Sequence, residues 1–112
     1  MKHKMSLRDI PFNSIKNGTK TIELRLYDEK RQMINVGDII CFTNVLNNNQ
    51  IEVEVVNLHL FNSFEELYAH FNKVCLGYAE NEPASPKDML DYYSAAEQQQ
   101  YGVVGIEIKL IK

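Results

Sequence analysis

Residues 51–60, IEVEVVNLHL, decide the fold of this chain. The apolar residues occupy odd positions first and even positions afterwards: Ile51, Val53 and Val55, then Val56, Leu58 and Leu60. Because strand side chains alternate between the two faces of a sheet, a slip of one residue would turn the second set to the opposite face. A β-bulge near Val55–Val56, or a strand that leaves one sheet face for another, removes the conflict. Either is expected where a small sheet curls into a barrel.

Three further segments have strand patterns. Residues 20–26 alternate, with apolar side chains on one face and polar ones on the other: Ile22, Leu24 and Leu26 against Thr21, Glu23 and Arg25. Residues 39–45, IICFTNV, follow a turn at Gly37-Asp38, and residues 103–111, VVGIEIKLI, end the chain with a second alternating run. Such alternation is typical of antiparallel strands with one solvated face.

Helices are predicted from the residues that start and stop them. One helix is expected at 11–17, before Gly18, and another at 88–93, after Ser85-Pro86. Two more are expected to start at capping boxes, Ser63–Glu66 and Ser94–Glu97, the second ending at Gly102. The predicted order is one helix, three strands, two or three helices and a last strand. We therefore expect residues 1–112 to form a single α+β domain. Its core would be a small curled or closed β-barrel, antiparallel or mixed, with helices covering one opening.

Charge is unevenly distributed along the chain. The formal net charge is −3 at pH 7, yet residues 1–31 hold eight basic and four acidic side chains, and the remainder holds four basic and eleven acidic ones. An anion is expected to approach the surface built by the first third, unless folding scatters these bases. The negative total disfavours a general binder of long nucleic acid, because neutralising phosphates requires many Lys and Arg side chains.

Several classes of protein are disfavoured by residue type. No apolar run approaches the roughly 20 residues that cross a bilayer, and no apolar stretch follows the basic N-terminus, so neither a membrane span nor a signal peptide is predicted. Cys41 and Cys75 form no C-x-x-C unit, and we expect reduced, buried thiols of a cytoplasmic protein. His3, His59 and His70 have no partner at metal-ligand spacing, so neither a metal nor a cofactor is predicted.

Residues 18–25, GTKTIELR, set three ionisable side chains close together: Lys20, Glu23 and Arg25. Glu23 and Arg25 project from one strand face, about 7 Å apart at Cβ, and Thr21 and Tyr27 fall on the same face. Strict alternation would point Lys20 among leucines, so we expect the turn after Gly18 to aim it elsewhere. On these residues alone, a solvated outer face is favoured over a binding site.

The spacing G-x-K-x-x-E-x-R resembles the signature of the ASCH domain, a small β-barrel family similar to the PUA domains that bind modified RNA. The stretches EKRQMINVGD, FNSFEEL and YYSAAEQQQYGVVGIEI also resemble its small, free-standing prokaryotic members. The resemblance covers nearly the whole chain. It implies a PUA-like barrel whose cleft, between barrel and helices, takes RNA or a nucleotide-like ligand.

The resemblance also implies roles for individual residues. Lys20 would meet an anion or a carbonyl oxygen, and Arg25 would offer its planar guanidinium to a phosphate or a base edge. Glu23 would orient both cations or accept hydrogen bonds from an exocyclic amine. Tyr27 or another aromatic side chain of the cleft would stack on a base, and Arg31 is a further candidate for phosphate. The predicted ligand site is Gly18, Lys20, Thr21, Glu23, Arg25, Tyr27 and Arg31.

Three functions are open on the sequence. The leading one is a binding module for RNA or a nucleotide. The second is a small amidohydrolase of N-acylated nucleosides, with Lys20 and Glu23 as catalytic pair; in that family branch a threonine nucleophile stands where this chain has Glu23, so a carboxylate would have to activate water. The third is a protein-interaction module with a purely structural charge cluster. Tyr92, Tyr93 and Tyr101 are expected to be packing residues, and any that faces Lys20 becomes a stacking candidate.

Overall fold

The computed structural model describes residues 1–111, which form five strands, three α-helices and two short 3₁₀ helices. The strands are β1 (Lys2–Leu7), β2 (Ile22–Leu26), β3 (Ile39–Asn44), β4 (Gln50–Phe61) and β5 (Val103–Leu110). The α-helices are α1 (Asp9–Lys16), α2 (Phe64–His70) and α3 (Ala95–Tyr101), and the 3₁₀ helices cover Arg31–Met33 and Pro86–Asp91.

The strands form one mixed sheet in the order β1-β3-β4-β5-β2. β1 runs parallel to β3, and the other pairs are antiparallel. A flat sheet of this kind would hold its edges roughly 19 Å apart, at about 4.8 Å per strand spacing. Here Arg25 Nη2 of the edge strand β2 donates to the carbonyl oxygen of Ser6 in the other edge strand at 3.1 Å. The sheet therefore curls into a half-barrel, and the predicted α+β, PUA-like fold class is confirmed.

The phase slip in β4 is a β-bulge. Val55 pairs with Ile108 and Asn57 pairs with Glu107, which leaves Val56 as the extra residue. Val55 is fully buried, whereas Val56 is 42% exposed. The predicted bulge at Val55–Val56 is confirmed, and it accounts for part of the curl because a bulge bends its strand and increases the local twist.

The prediction that the fold begins with a helix was wrong. Residues Lys2–Leu7 form β1, which adds a parallel edge strand to β3. Only Met5 and Leu7 of this strand are buried, and the basic residues among them leave too short an apolar pattern to indicate a strand. The sheet consequently has five strands within residues 1–111, one more than predicted.

The two capping boxes predicted from the sequence both start α-helices in the structure. The Ser63 hydroxyl accepts a hydrogen bond from the Glu66 N–H at 3.3 Å, and Ser94 and Glu97 form a reciprocal capping box. α3 ends before Gly102, whose φ is +70°. Of the residues predicted as a helix at 88–93, residues 88–91 lie in the 3₁₀ helix Pro86–Asp91, and Tyr92 and Tyr93 follow it. None of the helices within residues 1–111 combines the length and the apolar character needed to cross a membrane.

β2 is covered on both faces. Its even residues Ile22, Leu24 and Leu26 contact an apolar cluster that includes Phe64 and Leu67 of α2. Its odd residues share a face with the other core cluster, since Glu23 pairs with Ile106 and Arg25 pairs with Val104. The expectation that one face of this strand is solvated was wrong, because the curl turns that face toward the interior of the half-barrel.

The cysteines are both free thiols. Cys41 is buried in β3, as predicted. Cys75 is only partly buried, because it lies in a loop after α2, where its thiol donates to the carbonyl oxygen of Asn72 at 2.9 Å. The prediction of two buried thiols was therefore wrong for Cys75.

The first prediction concerns acid stability. Asp38 Oδ2 accepts hydrogen bonds from His3 Nε2 of β1 at 2.8 Å and from the Asn35 N–H at 2.9 Å. The His3 bond first, and then the Asn35 bond, lower the pKa of Asp38 from 3.8 to about 2. A depressed carboxyl pKa stabilises the fold above the pKa of the unfolded chain, and this contribution disappears as the pH falls through the folded pKa.

We expect the Asp38→Asn variant to melt below the wild-type protein at pH 7, with the difference in Tm closing between about pH 4 and pH 2. Thermal melts followed by circular dichroism check this. The exposed Asp91→Asn variant is the control and should show only a small difference in Tm at pH 7. A Tm difference for Asp38→Asn that stays constant down to pH 2 would contradict the assignment.

Candidate functional site

The turn after α1 positions Lys20. Gly18 ends the helix with φ +88°, and the backbone N–H groups of Thr19 and Lys20 both donate to the carbonyl oxygen of Ser14, at 3.1 and 3.0 Å. Lys20 therefore lies before β2, which starts at Ile22, and is released from strand alternation. This is the arrangement expected from the sequence.

The Lys20 side chain is buried, with 7% of its surface exposed. Its Nζ donates to the carbonyl oxygen of Leu76 at 3.0 Å and lies 3.4 Å from Glu23 Oε1. Leu76 belongs to the 72–78 loop, which is also held by Cys75, whose carbonyl oxygen accepts the N–H groups of Thr21 and Ile22 at 3.0 Å each. Lys20 thus fastens the loop over the start of β2.

Glycine is required where the loop meets Lys20. Gly77 has φ +109°, and a Cβ added there would lie 3.2 Å from Lys20 Cδ. Both the backbone conformation and the contact distance favour a residue without a side chain.

Glu23 joins the two cations. Arg25 Nε donates to Glu23 Oε2 at 2.7 Å, and Arg25 Nη2 lies 2.7 Å from the same oxygen. The other carboxylate oxygen, Oε1, faces Lys20. Because Arg25 Nη2 also donates to Ser6 in β1, the guanidinium spans the gap between the two sheet edges. We call this Arg25–Ser6 contact the seam.

The pKa values of the three groups follow from their burial and mutual contact. Burial lowers the pKa of Lys20 below its ordinary 10.5, and the charge of Glu23 offsets only part of this effect. Burial by itself would raise the pKa of Glu23, but the charges and hydrogen bonds of Arg25 and Lys20 outweigh it and hold that pKa below 4.5. Burial opposes the charged form of Arg25 as well, yet Glu23 raises its pKa above the ordinary value.

This cluster lies at the edge of an open cleft of about 480 Å³. Lys20, Glu23 and Arg25 all line the cleft, together with Leu76 and Gly77 of the loop. Other parts of its wall come from the end of β1, the start of α1 and the 3₁₀ helix Pro86–Asp91.

Four tyrosines line the cleft: Tyr68, Tyr78, Tyr92 and Tyr93. Tyr78 donates to Asp88 Oδ2 at 2.7 Å, so the hydroxyl contact of 2.8 Å between Tyr68 and Tyr78 must be donated by Tyr68. Burial raises the pKa of both phenols, so both hydroxyls stay protonated. The guanidinium of Arg8 lies 4.7 Å from the ring centre of Tyr92, a cation–π distance.

Comparison with known proteins settles the family. The sequence profile described as the ASCH domain matches residues 5–112. This chain belongs to the ASCH domain family. The crystal structure of hypothetical protein PH0355 is similar to it with a TM-score of 0.84 and 33% identity, over 99% of this chain and 100% of the other.

A second solved structure is similar to this ASCH domain over the same extent. The solution NMR structure of protein PF0455 from Pyrococcus furiosus gives a TM-score of 0.73 and 32% identity, covering 100% of this chain and 99% of the other. No curated protein matches the sequence. The family resemblance inferred from the sequence is confirmed.

The ASCH signature and the cleft do not coincide residue for residue. Lys20, Glu23 and Arg25 come together in the cleft, whereas four residues of the predicted ligand site do not line it: Gly18, Thr21, Tyr27 and Arg31. Gly18 acts through the turn, and Thr21 is exposed ahead of β2. Tyr27 packs against the core cluster that includes Val104 and Ile106, and Arg31 lines a neighbouring pocket.

The tyrosines of this ASCH domain were only partly foreseen. Tyr92 and Tyr93, for which the sequence leaves a cleft position open, line the cleft, and Tyr101 contacts the core cluster under α2. Tyr68 fits the apolar stripe of α2, which predicts a core residue. Tyr78, in an irregular loop, has no pattern to mark it. Their meeting depends on how the loop folds back over β2, which local sequence does not indicate.

Charges of both signs line the ASCH cleft. They are Arg8, Lys20 and Arg25 against Glu23, Glu82, Asp88 and Asp91. The basic first third and the acidic later segment of the chain therefore face each other across one opening. Within residues 1–111, no group of three or more His, Cys, Asp or Glu side chains is arranged to hold a metal ion.

The second prediction concerns the Glu23 carboxylate. Replacing one partner of a buried ion pair leaves an uncompensated buried charge, which typically costs about 3 kcal/mol or more. Glu23→Gln should therefore lower the free energy of unfolding by about 3 kcal/mol, measured by urea denaturation. Adding Lys20→Met should restore part of the loss, because it removes one of the two orphaned cations.

The matched control is Glu80→Gln, at an exposed loop position. It should change the free energy of unfolding by less than about 0.5 kcal/mol. Equal effects of the Glu23 and Glu80 substitutions would show that Glu23 is solvated and not part of a buried cluster.

Proposed function

We propose that this ASCH domain binds a nucleotide or a short single-stranded RNA segment in the cleft. The observation that carries the proposal is the joint presence of fixed ionic groups and aromatic rings in one open depression. Lys20, Glu23 and Arg25 supply hydrogen-bond donors and acceptors, and Tyr92 and Tyr93 supply ring surface. Nucleobases are recognised by this combination of edge hydrogen bonds and stacking.

The mixed charge of the cleft supports a nucleobase as its occupant. Three cations and four carboxylates line it, so the cleft has no excess of positive charge for a phosphate backbone. A neutral base with donors and acceptors on its edge fits such a lining. The acidic 3₁₀ helix segment, with Asp88 and Asp91, disfavours a long or double-stranded nucleic acid lying across this side.

Hydrolysis is less well supported than binding. A general base works best with a pKa near the operating pH, and the pKa of Glu23 is held below its ordinary value by Arg25 and Lys20. Lys20 in turn donates to Leu76 and lies against Glu23. These contacts support a positioning role for the pair over an acid–base role.

A protein-interaction role is also less well supported. It would be accompanied by a closed or filled cleft, whereas the cleft is open and has about 480 Å³. Lys20, Glu23 and Arg25 also lie inside it and not on a flat exposed surface.

We also propose that residues 1–112 act as one domain and that it works in the cytoplasm. The free thiols of Cys41 and Cys75 support a reducing compartment, because disulfides persist mainly in oxidising ones.

The third prediction uses Tyr92, which is 50% exposed and lines the cleft. Stacking of a base on an aromatic side chain contributes about 1–3 kcal/mol, so Tyr92→Ala should weaken binding about tenfold. The probes are the common ribonucleosides, their 5′-monophosphates and short RNAs of mixed sequence. Amide chemical-shift titrations of the wild-type protein should show shifts at Lys20, Glu23 and Arg25, and the variant should give the larger Kd.

Leu90→Ala is the matched control. Leu90 lies two residues before Tyr92, in the 3₁₀ helix Pro86–Asp91, is 53% exposed and does not line the cleft. Its Kd should equal that of the wild-type protein. Failure of every probe to shift cleft resonances, or equal Kd values for the Tyr92 and Leu90 variants, would refute the proposed site.

A further inference from the structure

A second depression adjoins the cleft at the seam. We call it the basic pocket; it has a volume of about 330 Å³, and Ser6 and Arg25 line both it and the cleft. The other charged residues of its lining are Lys4, Lys30 and Arg31. Within residues 1–111, no Asp or Glu lines it. Arg25 and Arg31 each pair with one carboxylate from outside this lining, Glu23 and Asp28, and the pocket still has more basic than acidic groups around it.

The cations of the basic pocket have unused donors. Arg31 Nη1 lies 2.9 Å from Asp28 Oδ2, but its Nε is buried and has no hydrogen-bond acceptor among the described residues. Lys4 and Lys30 are exposed and form no ion pair within residues 1–111. A buried donor without an acceptor costs free energy, and an anion that reached this N–H would remove that cost.

We propose that the basic pocket binds the phosphate group of the nucleotide whose base occupies the cleft. The inference rests on the proposed function and adds the orientation in which the ligand binds. The base lies toward the tyrosines, the phosphate lies toward Lys30 and Arg31, and Arg25 stands between them at the seam.

The charged residues that line the cleft and those that line the basic pocket favour this orientation. A phosphate dianion in the cleft would lie beside Glu82, Asp88 and Asp91, and like charges repel. In the basic pocket it would meet guanidinium and ammonium donors, which form charge-assisted hydrogen bonds with phosphate oxygens. The preferred ligand is therefore a nucleotide or an RNA segment, and an unphosphorylated nucleoside should bind less tightly.

The test compares each ribonucleoside with its 5′-monophosphate and with a short RNA that has a 5′-hydroxyl end. The Kd values come from NMR titrations at low salt, and the Arg31 Nε–H resonance reports on the basic pocket directly. In the wild-type protein the monophosphate or the RNA should bind about tenfold more tightly than the nucleoside and shift this resonance. A response to the RNA but not to the monophosphate would assign the pocket to an internucleotide phosphate, and the reverse to a terminal one.

Two variants test the contribution of the basic pocket separately from that of the cleft. Lys30→Gln removes an exposed ammonium that makes no ion pair within residues 1–111, and Arg31→Lys keeps a cation beside Asp28 but lacks the Nε–H group. Each should reduce the preference for the phosphorylated probe by about threefold or more, with no change in nucleoside affinity. Lys16→Gln, an exposed lysine of α1 that lines neither depression, should leave the preference unchanged.

Failures of the two proposals are distinguishable. Nucleosides could bind in the cleft while the phosphate group adds no affinity, or while neither variant changes the affinity that the phosphate group adds. In either case the basic pocket is not a phosphate site, and the proposed function stands. If no nucleoside, nucleotide or RNA binds the wild-type protein, the proposed function falls, and this inference falls with it.

Discussion

The Glu23 carboxylate faces one cation with each of its oxygens, and much of the site depends on this double contact. Oε1 faces the Lys20 ammonium, which reaches on to Leu76, and Oε2 accepts from Arg25, which reaches on to Ser6. One buried carboxylate therefore links the loop over the cleft to the two edges of the sheet. Two cations alone would repel each other in this interior, so Glu23 is what allows both to be buried.

The curl of the sheet makes such a cluster possible. The strand β2 turns its polar face inward because the bulge at Val56 and the twist of the sheet bring its edge close to β1. Charged residues thus lie beside Val104 and Ile106, at a place where an open sheet would leave them in water. The seam gives the charged cluster access to two depressions, one of mixed charge with aromatic walls and one whose charged lining residues are all basic. Their difference in composition is what separates the base and the phosphate of the proposed ligand.

Much of the architecture was predictable from local patterns. The presence of strands β2 and β5, the phase slip at Val55–Val56 and the caps at Ser63 and Ser94 each depend on near neighbours, and each was found as expected. The residues that were missed depend on distant contacts. β1 is defined by pairing with β3, and the burial of Glu23 is defined by the curl.

The candidate site was predictable only in its ionic part. The motif spacing identified Lys20, Glu23 and Arg25, because the turn at Gly18 and one strand fix their relative positions. Tyr68 and Tyr78 reach the cleft through α2 and the loop that follows it, and no periodicity links them to β2. Arg31 was expected beside the signature residues; it contributes to a separate basic pocket, which shares only Arg25 and its neighbour Ser6 with the cleft.

The most direct measurement of the central claim is a carbon-13 NMR pH titration of the Glu23 carboxyl carbon and the Lys20 Cε. If the carboxylate is buried between two cations, the pKa of Glu23 lies below 4.5 and the pKa of Lys20 lies below 10.5. Ordinary pKa values for both groups would mean that they lie separately in water, which would contradict a buried charged cluster at the edge of the cleft.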